Sequence, residues 1–109
     1  MKRGEIWTVA GEGDYTSKPR PVVIIQDDRY VSTLSVTVAV FTSTVVDAEM
    51  LRLRIMPSPG NGLKSESYLM VDKITTVRRA RLGRRVGRLD PTDMQRFERA
   101  LVVFVGIAH

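Results

Sequence analysis

Seven basic side chains and no acidic one stand between Lys73 and Arg88, and the chemistry they offer is that of gripping a polyanion. Residues 1–71 carry 8 Lys/Arg and 8 Asp/Glu, whereas residues 72–109 carry 9 and 4, so the C-terminal part holds the whole net charge of +5. A one-sided positive field draws in polyanions and speeds their encounter. A nucleic acid or an acidic peptide is the partner this pattern predicts, with Arg78, Arg79, Arg81, Arg84 and Arg85 as the side chains able to track it. A solvated basic face that only aids solubility is the plainer alternative. Trp7 and Tyr68 are able to stack on bases, although a tryptophan in an apolar run equally reads as core.

Several chemistries are excluded. Cysteine is absent, so disulfides, thiolate zinc sites and a cysteine nucleophile are ruled out. The single histidine is His109, the last residue, so neither a catalytic histidine pair nor a multi-histidine metal site exists. No apolar run approaches the roughly 20 residues of a membrane span. Met1-Lys2-Arg3-Gly4-Glu5 is followed by no apolar signal core. The expectation is a cytosolic protein without membrane contact. The 109 residues suit one domain spanning 1–109. A chain of this length buries about two-thirds of its unfolded surface. That leaves a substrate only a surface groove or a junction between subunits.

The elements that must position these groups are mostly short strands. Residues 5–9 are β-prone. Residues 21–26 (PVVIIQ) are nearly all β-branched, as in a strand covered on both faces. Residues 34–41 alternate, with Leu34, Val36, Val38 and Val40 on one face. Residues 50–56 alternate too, with Leu51, Leu53 and Ile55 opposed to Arg52 and Arg54. Residues 67–73 form a fifth strand candidate. Residues 11–19 read as a long polar loop, and Pro57-Ser58-Pro59-Gly60-Asn61-Gly62 as a rigid corner followed by permissive residues. Residues 43–49 fit a short helical turn or a bend. At the end the period changes: Asp90 suits an N-cap, Pro91 the first helical position and Asp93 the first turn. Met94, Phe97, Leu101 and Phe104 then recur on one helical face, with Gly106 as the stop. The predicted class is mainly β: five or more strands in a small barrel closed by a C-terminal helix.

Four fragments in order resemble the MazF/PemK toxin family. Arg3-Gly4-Glu5-Ile6-Trp7 is similar to its opening strand. Lys18-Pro19-Arg20-Pro21-Val22-Val23-Ile24-Ile25 resembles the Arg-Pro-Val strand that follows the first loop. Val38-Ala39-Val40-Phe41-Thr42-Ser43-Thr44 resembles the strand ending in a Thr/Ser pair. Residues 67–87 resemble the stretch in which a strand bearing Asp leads to a Thr-rich segment and Arg-Leu. The resemblance implies an SH3-like barrel and a homodimer. It also implies sequence-selective cleavage of single-stranded RNA and a cognate antitoxin binding through a flexible acidic or amphipathic tail. Lys73 departs from the family, which often has Gln there.

Cleavage beside RNA's own 2′-hydroxyl needs a proton acceptor, groups that hold the charge growing on phosphate, and a proton for the leaving oxygen. The nucleophile is internal, so no metal or other cofactor is expected, and the products are a 2′,3′-cyclic phosphate and a 5′-hydroxyl. Arg20 matches the family's catalytic arginine. A guanidinium grips phosphate oxygens in bidentate fashion but is a poor proton acceptor, which favours charge stabilisation. Thr42 matches the strand-end threonine, with Ser43 and Thr44 as neighbours for the same task. Asp72 is the third catalytic candidate, as a base or to orient Arg20; a salt bridge to a nearby arginine is its structural alternative. Lys18, Ser43, Thr44, Lys73, Arg78, Arg79 and Arg81 are the candidate RNA-binding residues. Two readings compete with the nuclease: a DNA-gyrase poison on the same barrel, and a non-catalytic SH3-like binding module.

Overall fold

A computed structural model describes residues 1–10, 18–30, 32–45 and 50–109. Six strands, β1 (Glu5–Val9), β2 (Arg20–Ile24), β3 (Ser35–Thr42), β4 (Arg52–Ile55), β5 (Ser67–Arg78) and β6 (Leu82–Arg88), precede one helix, α1 (Pro91–Phe104). They form a single antiparallel sheet in the order β4-β5-β3-β2-β1-β6. Most of the predicted 11–19 loop and part of the 43–49 bend lie outside the described residues.

The apolar pattern explains the central strands. Val22, Val23 and Ile24 are all buried, which fits the both-faces-covered reading of β2. Val23 joins Ile6, Ala39, Phe41, Leu53, Ile55, Leu69 and Val71 in the core under α1. Val22 and Ile24 join Val9, Val36 and Val38 in a second cluster. Leu34 does not share the buried face of β3; it lies just before the strand and is 89% exposed. Strand alternation gives both faces of β3 core residues, Ala39 and Phe41 on one and Val36 and Val38 on the other, and β3 shifts register against β5 between Ala39 and Phe41.

The predicted barrel is open. Its edge strands, β4 and β6, are not hydrogen-bonded neighbours. The loop from β4 to β5 bridges them instead. Asn61, 2% exposed, accepts the N–H groups of Ser58 and Leu63 at 3.0 Å and donates to the Met56 carbonyl at 2.8 Å. The loop then meets β6, where Arg88 N–H donates to the Gly60 carbonyl at 2.9 Å. Gly62 is required: its φ is +68°, and a Cβ there would stand 2.3 Å from the Val86 carbonyl oxygen.

α1 begins as its sequence dictates. The Asp90 carboxylate accepts Thr92 N–H at 2.8 Å, and Pro91 occupies the first turn. Met94 and Phe97 are buried and Leu101 packs against the same core, whereas Phe104, the last residue of the stripe, is 49% exposed. Arg3 ties helix to sheet, donating to the Ile25 carbonyl at 3.0 Å and pairing with Glu98 at 2.7 Å.

Candidate active site

A surface cleft of about 530 Å³ opens where β1, β2, β3, β5 and β6 present their ends together. That is within the size range of small-ligand sites. Pro19 and Pro21 flank Arg20 at its rim. A residue before proline is held extended, so Lys18 and Arg20 are both committed to strand-like backbone. Pro21 is tolerated because it pairs with Thr8 of β1, while the β3 ladder begins one residue later at Val22–Val40. Continuing that register by two residues brings Arg20 across from Thr42, and both line the cleft. The Thr42 hydroxyl accepts the Thr44 N–H at 3.1 Å, turning the chain at the strand end so that Ser43 and Thr44 also line it.

The rest of the lining includes Arg84, which the sequence offered only as one of a basic run, and Thr8, Lys64 and Ser65, which it did not single out. Lys64, Ser65 and Ser67 arrive on the bridging loop and the start of β5; Thr8 and Arg84 arrive on β1 and β6. The available signals were faint: the Asn61-Gly62 turn that returns the chain, and the alternation of Leu82, Arg84 and Val86 within a run read only as basic. Three cations, Arg20, Lys64 and Arg84, thus face a hollow edged by several hydroxyls, and no acidic side chain lines it among the described residues. Nor does a carboxylate of the described residues lie within ion-pair distance of any of the three, while Arg3, Arg29, Arg52, Arg54, Arg85 and Arg96 are all paired. This is the electrostatics of an anion site, with donors in place and no competing carboxylate among the described residues.

The other candidates lie elsewhere. Asp72 does not line the cleft; it pairs with Arg52 on the outer side of β4 and β5, the structural alternative raised above. Burial would raise the Asp72 carboxyl, but the Arg52 N–H, the backbone and the charges of Arg52 and Lys73 outweigh it and hold the group below its usual value. Lys73 follows it, exposed and outside the cleft. Arg78 and Arg79 border a separate hollow with residues 32–35, and Arg79 donates to the Thr33 carbonyl at 2.9 Å. Arg81 donates to the Ala10 carbonyl. Lys18 is exposed beside the cleft without lining it. Trp7 packs on the second core cluster and donates to Glu5 at 3.2 Å, so the structure favours its core reading. Tyr68 donates to Glu66 at 3.0 Å, which raises the phenol's pKa; Arg54 first, and Tyr68 after it, lowers that of Glu66.

Comparisons with known proteins agree with this geometry. A family model described as "PemK-like, MazF-like toxin of type II toxin-antitoxin system" matches residues 2–105. A Mycolicibacterium smegmatis protein named "Probable endoribonuclease MazF" is 59% identical over 108 residues, covering 99% of both chains. A solved structure titled "Endoribonuclease in complex with its cognate antitoxin from Mycobacterial species" is 22% identical, covers 100% of this chain and 98% of its own, and superposes with a TM-score of 0.77. "Mycobacterium tuberculosis toxin MazF-mt6" is 24% identical over 94% of this chain and 96% of its own, also at 0.77. Likeness at those identities speaks for the fold alone.

Proposed function

The chain belongs to the PemK/MazF family of type II toxins, and from that premise we propose that it is an endoribonuclease that cuts single-stranded RNA in the cleft between Arg20 and Thr42. The observation that carries this reading is the meeting of Arg20 and Thr42 in a hollow lined by cations and, among the described residues, by no carboxylate. In the reaction the 2′-oxygen bonds to the adjacent phosphorus as the bond to the 5′-oxygen breaks. One proton leaves the 2′-hydroxyl and one arrives on the 5′-oxygen, giving a 2′,3′-cyclic phosphate and a 5′-hydroxyl. Arg20 holds the non-bridging oxygens as their charge grows, with the Thr42 hydroxyl as a second donor. Ser43 and Thr44 contact neighbouring phosphates or sugars. A substrate that carries its own nucleophile needs no metal-activated water.

As a toxin, the protein halts growth by cleaving RNA and is held in check by a cognate antitoxin, and it works in the cytoplasm as a homodimer of single-domain subunits. The antitoxin is supported by the solved endoribonuclease–antitoxin complex that shares this fold. No described helix is long and apolar enough to cross a membrane. The decisive assay incubates end-labelled single-stranded RNA with the protein in excess EDTA. Cleavage to cyclic-phosphate ends is expected. Cleavage that disappears in EDTA and returns with Mg²⁺ refutes the mechanism, and no cleavage in either refutes the activity. Sedimentation at micromolar concentration tests the dimer, an active monomer being the refuting result.

A further inference from the structure

Two of the cleft's three cations have no part in the mechanism above. Both are fixed by built features of the fold. Lys64 follows Leu63, which packs against the main core and whose N–H is held by the buried Asn61 at 3.0 Å. Its backbone position therefore depends on the loop that bridges the sheet edges. Arg84 is held by its own N–H, which donates to the Thr8 hydroxyl at 3.0 Å. That contact requires Gly83, since a Cβ at 83 would lie 2.5 Å from the same hydroxyl oxygen. Strand alternation then sends Arg85 to the other face, where it pairs with Glu5 at 2.9 Å, and leaves Arg84 in the cleft. Neither Lys64 nor Arg84 has a carboxylate partner among the described residues. A cation kept in a cleft with no counter-charge among the described residues awaits an anion, and the cleft is lined from β3 through to β6.

Resting on the endoribonuclease reading, we propose that Lys64 and Arg84 are substrate-positioning residues: they hold the backbone phosphates flanking the scissile one, within the cleft that Arg20 and Thr42 also line. They act on backbone rather than on bases, and so set where the strand lies and not which sequence is cut.

The test uses a single-stranded RNA carrying one 2′-deoxy sugar at the position that the wild-type protein cuts, so that it binds without reacting. Affinity is measured from 50 to 200 mM KCl. Each phosphate contact on a single strand adds about 0.7 to the salt slope, which is about a 2.6-fold change over that range. Lys64→Gln and Arg84→Gln are each expected to shrink the salt-driven loss of affinity by about 2.6-fold, and the double variant by about 7-fold. On cleavable RNA they raise KM and leave kcat unchanged. Lys64→Arg and Arg84→Lys restore the slope. Both effects vanish on an RNA trimmed to the nucleotides around the cut. Unchanged slope and KM in variants of an active protein overturn the proposal, as does an unchanged slope with an altered cleavage sequence, which is base reading. A wild-type protein that cuts no RNA at all fails earlier, at the activity itself.

Discussion

Arg20 was the first catalytic candidate and Asp72 the third, with a salt bridge as its alternative, and the structure separates them. Arg20 lies in the cleft with no counter-charge among the described residues, whereas the Asp72 carboxylate is spent on Arg52. Arg20→Ala is expected to lower kcat at least about a hundredfold, the usual cost of losing a donor aimed at a developing oxyanion. The exposed site predicts an unchanged melting temperature, so a folded, fully active variant would remove Arg20 from the reaction. Thr42→Val removes one donor, worth about 1.5–3 kcal/mol toward a charged oxygen. That is about a 10- to 150-fold loss in kcat/KM, with Thr42→Ser largely restoring it. Asp72→Asn is expected to leave cleavage at pH 7 within about threefold, where loss of a general base costs about 10²–10⁴. Its effect falls on stability. The Asp72 pKa is lowered on folding, so its contribution is complete above the unfolded value of about 3.9 and is lost as pH falls through the folded value. The difference in melting temperature between wild type and Asp72→Asn should therefore be constant near neutrality and shrink below about pH 4. A difference that grows on acidification contradicts the pairing. Arg20 and Thr42 were picked out because they border apolar runs within four family-like fragments that are weak singly and strong in order. Lys64 was not, because a lone lysine after a turn carries no local pattern.

Elements were legible where one apolar period dominates. The run 21–26 and the capped helix from Asp90 needed only local rules, and β2 and α1 follow them within two residues. β6 was missed because Gly83, Arg84, Arg85, Gly87 and Arg88 offer little apolar alternation; its pairing with β1, not its propensity, makes it a strand. The same holds for the bridging loop, whose order rests on a buried side chain rather than on turn composition. Asn61→Ala leaves the Ser58 and Leu63 N–H groups and the Met56 carbonyl without that partner. At about 1–3 kcal/mol per buried unsatisfied group, partly relieved by water, a loss of about 2–4 kcal/mol is expected. That is about a 10–20 °C fall in Tm for a domain of this size. Because the loop carries Lys64, RNA affinity should also drop at temperatures where the variant is folded. Calorimetry showing a shift below about 2 °C would deny the loop its role in joining the sheet edges.

At the scale of the whole molecule, the basic run from Lys73 to Arg88 is not one patch. Its members are dispersed: Arg84 lines the cleft, Arg85 is neutralised by Glu5, Arg79 braces Thr33, Arg81 reaches Ala10, and Arg78 stands exposed at the far end of β5. Arg78 does not line the cleft; the nearest cleft residue along the chain is Arg84, six residues on and so at most about 20 Å away at 3.3 Å per residue. The charge sum was legible in the sequence; its distribution was not, because it depends on the corner between β5 and β6 and on which face each strand residue takes. The distance makes a prediction about range. The Debye length is about 8 Å at physiological salt and about 30 Å at 10 mM. Arg78 therefore acts on an RNA confined to the cleft only through the long-range field, and only at low salt. Arg78→Glu should slow association of a short RNA severalfold in 10 mM salt and leave kcat/KM within about twofold at 150 mM. With an RNA long enough to leave the cleft and cross the molecule, the loss should persist at 150 mM. Stopped-flow association and steady-state cleavage, each at both salts and both lengths, separate these cases. If Arg78→Glu costs more than tenfold on the short RNA at 150 mM, the residue touches substrate directly. In a homodimer, that contact would have to come from one subunit's β5 end reaching the other subunit's cleft.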